Sequence, residues 1–279
     1  SHPDYPNFTR TKKRYTDDTI RWEKFTEFNI GQIKEISKEF NPDLLWFDGD
    51  WEQSAEMWKS KEIRAFLRKN NEDIIINSRL QGYGDYATPE QGLPITKPKD
   101  NYWELCMTMN DSWGYQGNDK NYKTTDQIIR IFSQCIWLGG NLLLDIGPKP
   151  DGTIPEEQIK ILKELGRWTT KNESAIYGTQ AGLAPECFFG PSTLSADSTI
   201  VYLFLPYNPK GEIMLKGVNN GINRVWVVGN GTKPEHKTYL KPYWSNKPGL
   251  ITIEVPDSVL DENMTVIAVL LDGKLDLKD

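Results

Sequence analysis

Apolar and polar positions alternate along this chain with two different periods. Trp22, Phe25, Ile33, Ile36 and Phe40 fall at helical steps, which predicts an amphipathic helix from Arg21 to about Phe40. Asn41-Pro42-Asp43 stops it, because Pro42 cannot continue the hydrogen-bond ladder. The continuous apolar run Leu44–Phe47 then reads as a parallel strand buried on both faces. A second helix is expected from Ser54 to Lys69, carrying Met57, Trp58, Ile63, Phe66 and Leu67, and a second strand over Asp73–Asn77. The stretch Arg79–Tyr102 is rich in Gly, Pro and Asp. An irregular segment of that length is functional or disordered. Beyond it come a strand over Trp103–Met109 and a capping box at Thr124–Gln127. A helix over Ile128–Leu138 and a strand over Gly140–Asp145 follow. Pro155-Glu156-Glu157 opens a last helix that runs to about Lys171, with acids at the positive end of its dipole.

The texture changes after Ile176. Short β-rich runs cover Thr199–Leu205, Glu212–Leu215, Arg224–Val228, Leu250–Val255 and Thr265–Leu271, separated by Gly, Pro and Asn turns. They predict an antiparallel β-sandwich over residues 176–279. The first part, residues 1–175, alternates strand and helix, so it is an α/β fold with a parallel sheet. About four strand–helix units are present, whereas a closed (β/α)8 barrel needs eight and about 250 residues. The expectation is therefore the C-terminal part of a (β/α)8-like barrel followed by the sandwich. The start at Ser1, without Met, favours that reading over a small open sheet. The remaining strands would come from an N-terminal half of the barrel outside this chain, or from another chain.

Composition narrows the function. The 279 residues carry a net charge of -6, which disfavours non-specific nucleic-acid binding; the dense basic stretch Arg10–Arg14 is short. No apolar run approaches the ~18 residues of a membrane span. Ten Trp exceed ordinary usage, and with twelve Tyr and ten Phe they bring the aromatic content to 11%. Most must be core, but sugar faces also stack on such rings. Cys106, Cys135 and Cys187 form no metal-ligand spacing, and Cys106 and Cys135 read as buried thiols. Only His2 and His236 occur, too few for a histidine metal site or a Ser-His-Asp triad, and no phosphate loop is present. No cofactor or metal is expected. Asn-x-Ser/Thr sequons stand at Asn7, Asn110, Asn172, Asn230 and Asn263.

Acids at strand ends carry the candidate chemistry. Asp48 follows the Leu44–Phe47 strand, at the end where α/β active sites gather. It could equally be a turn residue in Asp48-Gly49-Asp50, although Asp50 suits a helix cap better. Arg79 follows the next strand at the equivalent end, as a surface ion pair or a cleft group for hydroxyls or a carboxylate. Glu90 lies in the long loop behind Pro89, and Glu104 at the entrance of a strand, where an acid needs a partner or solvent. Two carboxyls facing one cleft are what glycoside hydrolysis requires, one ionised and one holding a proton.

Three segments then match a known family in order. Leu44-Leu45-Trp46-Phe47-Asp48-Gly49-Asp50-Trp51 resembles the nucleophile strand of glycoside hydrolase family 29, the α-L-fucosidases. Trp103-Glu104-Leu105-Cys106-Met107-Thr108 with Ser112-Trp113-Gly114-Tyr115 resembles its next hallmark, and Gly139–Pro148 with Asp151-Gly152 a third. The resemblance covers residues 1 to about 175, and a sandwich after the barrel is usual in the family. It implies release of terminal α-L-fucose from fucosylated oligosaccharides or glycoconjugates, with retention through a covalent fucosyl-enzyme. Asp48 matches the nucleophile. Glu90 is the best positional match for the acid/base, with Glu104 as the runner-up, which would otherwise orient the sugar. Trp46 and Arg79 match pocket residues, and Trp113 and Trp137 are further candidates for sugar contact. The resemblance implies a secreted, periplasmic or lysosome-like glycan-degrading compartment, although no signal peptide is read in this chain. The family's early His and Trp segments have no counterpart here, so the isolated chain is expected to be inactive. An α-L-galactosidase on the same scaffold and a non-catalytic fucose-binding module are the alternatives.

Overall fold

The computed structural model describes residues 19–96, 98, 99, 102–240, 243, 244 and 248–277. His2, Asn7 and the stretch Arg10–Arg14 lie outside them. Packing divides the chain into two units. One reaches Thr88 and includes Tyr102; the other comprises Pro89–Lys99 and the chain from Trp103 onward.

In the first unit, helix α1 (Thr19–Phe40) follows the apolar period. Trp22 is buried; its indole N–H donates to the Met57 carbonyl at 2.9 Å and its ring meets Trp58 edge-on at 4.9 Å. Asn41, at φ 42, closes the helix in the left-handed conformation before Pro42. The single helix expected over Ser54–Lys69 is broken into α2 (Ala55–Trp58) and α3 (Ser60–Asn70). Lys59 sits between them at φ 56, its N–H donating to the carbonyls of Ala55 and Glu56. The break accompanies the seating of Trp58, whose indole donates to the Asp50 carbonyl at 2.9 Å. A hydrophobic period reports which side is buried and is silent about such a turn.

Strands β1 (Leu44–Leu45) and β2 (Ile75–Ile76) pair in parallel, Leu44 opposite Ile75 and Leu45 opposite Ile76. Each ladder is shorter than its apolar run. Burial on both faces, expected from the sequence, does not hold: Ile76 is buried and Leu45 half-buried, but Leu44 and Ile75 are 42% and 46% exposed. The core of this unit is Ile63 and Leu67 of α3 with Ile74, Ile76 and Leu80, and Ile30 and Ile33 of α1 pack against it.

The second unit begins with β3 (Glu104–Thr108) and β4 (Asn141–Asp145), parallel, with Glu104 opposite Asn141 and Thr108 opposite Asp145. Helix α4 (Thr125–Trp137) joins them. Its capping box is present, the Thr124 hydroxyl accepting from Gln127 N–H and the Gln127 amide oxygen from Thr124 N–H. Helices α5 (Glu156–Lys171) and α6 (Glu173–Ile176) follow. The remaining strands are β5 (Gln180–Ala181), β6 (Ser192–Leu194), β7 (Ile200–Leu205), β8 (Gly211–Leu215), β9 (Ile222–Val227), β10 (His236–Tyr239), β11 (Leu250–Val255) and β12 (Thr265–Leu271). They form two antiparallel sheets, β5-β6-β7-β12-β9 and β10-β11-β8.

The period-2 alternation of β7 and β12 builds two cores at once. Val201, Leu203, Leu205, Ile267 and Val269 meet Ile213, Leu215, Ile251 and Ile253 of the second sheet. Tyr202, Phe204, Val266 and Ala268, on the other face, pack with Ile129, Ile136 and Trp168 of α4 and α5. These two strands therefore carry apolar side chains on both faces, with Thr265 as the polar first position of β12. Helices α4 and α5 share the packing unit of the sheets although the sequence texture changes at Ile176.

An ion cluster closes the α5 side. Asp261, with a side chain only 3% exposed, accepts both guanidinium nitrogens of Arg167 at 3.0 Å and the Lys171 ammonium at 2.7 Å. Burial alone would raise its pKa, but the bonds from Arg167 and Lys171 prevail and hold the carboxyl well below the usual range. A depressed folded-state value stabilises the chain fully above the unfolded carboxyl value near 4, and the gain is lost as pH falls from there through the much lower folded value. Asp261→Asn is expected to cost about 2 kcal/mol at pH 7. It should also flatten the fall in urea midpoint below about pH 4 relative to the parent. Parallel acid profiles for the two proteins would contradict this.

Candidate active site

Asp48 is held from three directions inside the first unit. On its N-terminal side, the side-chain amide of Asn77 grips the Phe47 backbone. Phe47 N–H donates to Asn77 Oδ1 at 2.8 Å, and Asn77 Nδ2 donates to the Phe47 carbonyl at 2.8 Å. On the C-terminal side, Gly49 turns the chain at φ 87, a conformation suited to glycine. Asp50 is then fixed twice: its carboxylate accepts Gln81 N–H at 2.7 Å and its carbonyl accepts the Gln81 amide at 2.6 Å. The cap role expected of Asp50 is thus replaced. It opens a short 3-10 turn (Asp50–Glu52) whose N-cap is Gly49, with no side-chain capping bond.

From the third direction Arg79 Nη1 meets Asp48 Oδ1 at 2.7 Å. The guanidinium is 13% exposed and the carboxylate 59%, so Asp48 opens to solvent above a sheltered cation. The Trp46 ring stacks on the Arg79 guanidinium at 4.6 Å, and Arg79 Nε donates to the Thr88 hydroxyl at 3.3 Å. Phe47, Asp48, Asp50, Trp51, Trp58 and Arg79 line a concavity of about 410 Å³.

Behind this group, Asp85 Oδ2 accepts Ile76 N–H at 2.8 Å, Asp85 N–H donates to the Ile76 carbonyl at 2.7 Å, and Arg64 and Arg68 pair with the carboxylate at 2.7 and 3.0 Å. Burial works to raise the Asp85 carboxyl, but the bonds from Ile76 and Arg64 hold it below its usual range.

The remaining candidates lie in the second unit. The chain at Glu90 runs beside β3 in parallel, Glu90 bridging Cys106. Gln91 extends that contact, its amide oxygen accepting Thr108 N–H at 3.3 Å. In-register and alternate positions share a face, so Glu90, Glu104, Cys106, Thr108 and Asp145 stand on one side of this ladder. Glu104 stands at the entrance of β3, while Thr108 and Asp145 are at the strand exits. The loop after β3 carries Trp113, 43% exposed; it is stapled by Asp119, which accepts Ser112 Oγ at 2.7 Å and Asp111 N–H at 3.1 Å. Gly147 closes on that loop, since a Cβ there would lie 3.0 Å from Tyr115 N. The second and third sequence hallmarks are therefore neighbours in space. Lys123 ties the exit of β3 by donating to the carbonyls of Thr108 at 2.8 Å and Asn110 at 3.2 Å.

Trp137 is not gathered with these groups. It ends α4, which feeds the entrance of β4, and its indole donates to the Leu183 carbonyl at 2.6 Å. It lines a separate groove with Arg130, Phe188, Phe189 and Tyr207.

Sequence reasoning passed over Asn77, Gln81, Asp85 and Asp145. Asp145 carries the same signal as Asp48, an acid at a strand exit, and burial pushes its carboxyl above the usual range. The other three act through backbone pairing, which leaves no pattern in composition or period. Among the described residues no group of His, Cys, Asp and Glu is arranged to hold a metal ion, and no helix is long and apolar enough to cross a membrane. Cys106 and Cys135 are buried thiols, Cys135 pushed up to about 12 by desolvation.

The family model described as alpha-L-fucosidase matches residues 1–174. The alpha-L-fucosidase of Dictyostelium discoideum is 30% identical over 242 residues, covering 82% of this chain and 52% of that protein. The chain thus spans about half the length of that curated relative. Among solved structures, α-L-fucosidase isoenzyme 1 from Paenibacillus thiaminolyticus matches with TM-score 0.83 and 28% identity, over 98% of this chain and 69% of its own. A GH29 fucosidase of Bacteroides thetaiotaomicron, trapped as a covalent intermediate, shares the fold at TM-score 0.78 and 22% identity, over 95% of this chain and 65% of its own. A mixed α/β fold with sandwich-like sheets, a second and a third hallmark segment that meet in space and a family match over more than half the residues agree: the chain belongs to the α-L-fucosidase family.

Proposed function

We propose that this chain carries the catalytic carboxylates of a retaining exo-α-L-fucosidase acting on fucosylated oligosaccharides or glycoconjugates. The observation that carries the reading is Asp48: a solvent-facing carboxylate beyond β1, fixed by Arg79 and lined by Trp51 and Trp58 in one concavity. An Asp48 oxygen attacks the anomeric carbon while the bond to the leaving oxygen breaks, and Glu90 gives that oxygen its proton. Water then attacks the same carbon, Glu90 takes the water's proton, and the ester to Asp48 breaks. Two inversions leave α-L-fucose.

Glu90 is preferred to Glu104 because Glu104 lies at the entrance of β3, whereas barrel active sites gather at strand exits. Trp46, Arg79 and Trp113 are assigned to sugar contact. The covalent intermediate trapped in the Bacteroides thetaiotaomicron enzyme of the same fold agrees with this route. Residues 1–175 are read as the second half of a (β/α)8 barrel and 176–279 as a sandwich. The exposure of Leu44, Ile75 and Leu143, apolar groups that a closed barrel covers, supports that division. The substrate class points to a secreted, periplasmic or lysosome-like compartment.

The test uses the native polypeptide containing this segment, with 4-nitrophenyl α-L-fucoside and the α-L-galactoside followed by proton NMR. The first-formed product should be the α anomer, and kcat/KM should favour the fucoside by about tenfold to a hundredfold, the discrimination expected against one added hydroxyl. An initial β anomer would refute retention, and preference for the galactoside would refute the substrate.

A further inference from the structure

We infer that Asn77 is the positioning residue of the nucleophile, its side chain serving as a surrogate strand that fixes the peptide leading into Asp48. The inference rests on the proposed fucosidase chemistry for its kinetic consequence, and on geometry alone for the clamp itself. The β1–β2 ladder supplies only two residue pairs, ending at Leu45 and Ile76. Past that point the first strand would lose its partner two residues before the reactive carboxylate. The carboxamide of Asn77 fills the gap. It accepts from Phe47 N–H and donates to Phe47 C=O, both at 2.8 Å, reproducing the two bonds of a backbone pair. Asn77 is fully buried, so neither bond competes with water.

Asn77 is itself immobilised. Its N–H donates to the Leu45 carbonyl at 3.4 Å. On its other side Gly84 lies so close that a Cβ there would sit 2.2 Å from the Asn77 carbonyl oxygen. Asp85, one residue on, holds Ile76 through the bonds described above. A rigid path therefore runs from Asp85 through Asn77 to Phe47 and Asp48. Only an amide meets both demands. A carboxylate would set a second acceptor against the Phe47 carbonyl, and an aliphatic isostere would leave both Phe47 groups without partners.

The test compares Asn77→Leu and Asn77→Asp with the parent in the native polypeptide, each first shown to be folded by circular dichroism. Two readouts are taken. Amide hydrogen exchange at Phe47 should accelerate at least tenfold in Asn77→Leu, with Ile63 and Leu67 unchanged. For turnover of an aryl fucoside, kcat should fall about 100-fold in both variants, the effect of a misplacement near 1 Å, while KM moves less than threefold. Asn77→Asp should recover at least tenfold in kcat, relative to the parent, as pH is lowered, because the protonated carboxyl donates to the Phe47 carbonyl again. Unchanged Phe47 exchange would overturn the clamp. Accelerated exchange with unchanged kcat would overturn its link to Asp48. Absence of turnover in the parent would sink the fucosidase reading instead, and the exchange result would still decide the clamp.

Discussion

Asp48→Gly is expected to lower kcat on an aryl fucoside by about 10⁴-fold or more while the protein stays folded, because the proposed covalent route would lose its nucleophile. Glycine at this position costs little in packing, since the carboxylate is largely exposed and its fixed neighbours Phe47 and Asp50 are held by other residues. Arg79 loses its ionic partner but keeps the Trp46 ring and the Thr88 hydroxyl. Azide distinguishes this variant from one at Glu90. In Asp48→Gly it fills the vacated side and gives β-fucosyl azide, with one inversion. In Glu90→Ala it intercepts the fucosyl-enzyme and gives α-fucosyl azide, with two. The same anomer from both variants would mean that the roles are misassigned.

The second large effect concerns folding. Gly140→Ala is expected to lower the unfolding free energy by about 3 kcal/mol, at the upper end of overpacking costs. An added Cβ would lie 2.2 to 2.5 Å from three atoms of the Trp103 indole. That ring is fully buried and cannot retreat, and its N–H donates to the Leu138 carbonyl at 3.4 Å. The glycine answers a close approach, not a special dihedral, and it couples two hallmark segments far apart in sequence. If the clash is the cause, Trp103→Leu in the Gly140→Ala background should recover at least 1 kcal/mol relative to additivity in urea titrations. Additive effects would place the cost elsewhere.

Much of this was legible in the residues. The boundaries of β11 and β12 match their β-rich runs to the residue, because turn residues flank both and nearly every position within them is buried. The capping box of α4 is written in Thr124 and Gln127. Strands β5, β6 and β10 left no such trace: they are short and mostly polar, and His236–Tyr239 is an exposed edge. The break at Lys59 was hidden for a different reason, since only Trp58 finding the Asp50 carbonyl reveals it.

The site divides the same way. Asp48 and Arg79 could be read because each follows an apolar strand at the same end. Asn77 could not. A buried asparagine at a strand terminus looks like a turn residue until its amide is seen lying against another segment's backbone. Asp50 likewise looked like a cap, and the partner it found instead is Gln81, 31 residues away.

In the proposed reaction one aspartate forms a covalent bond to the sugar. That bond is tested most directly by inactivating the native polypeptide with 2-fluoro-α-L-fucosyl fluoride, digesting it and sequencing the labelled peptide by mass spectrometry. A single 2-fluoro-fucosyl ester is expected on Asp48, within the peptide that carries Trp46 and Trp51. A label on Asp50, Glu90 or Glu104, or an active protein that takes up no label, would contradict it.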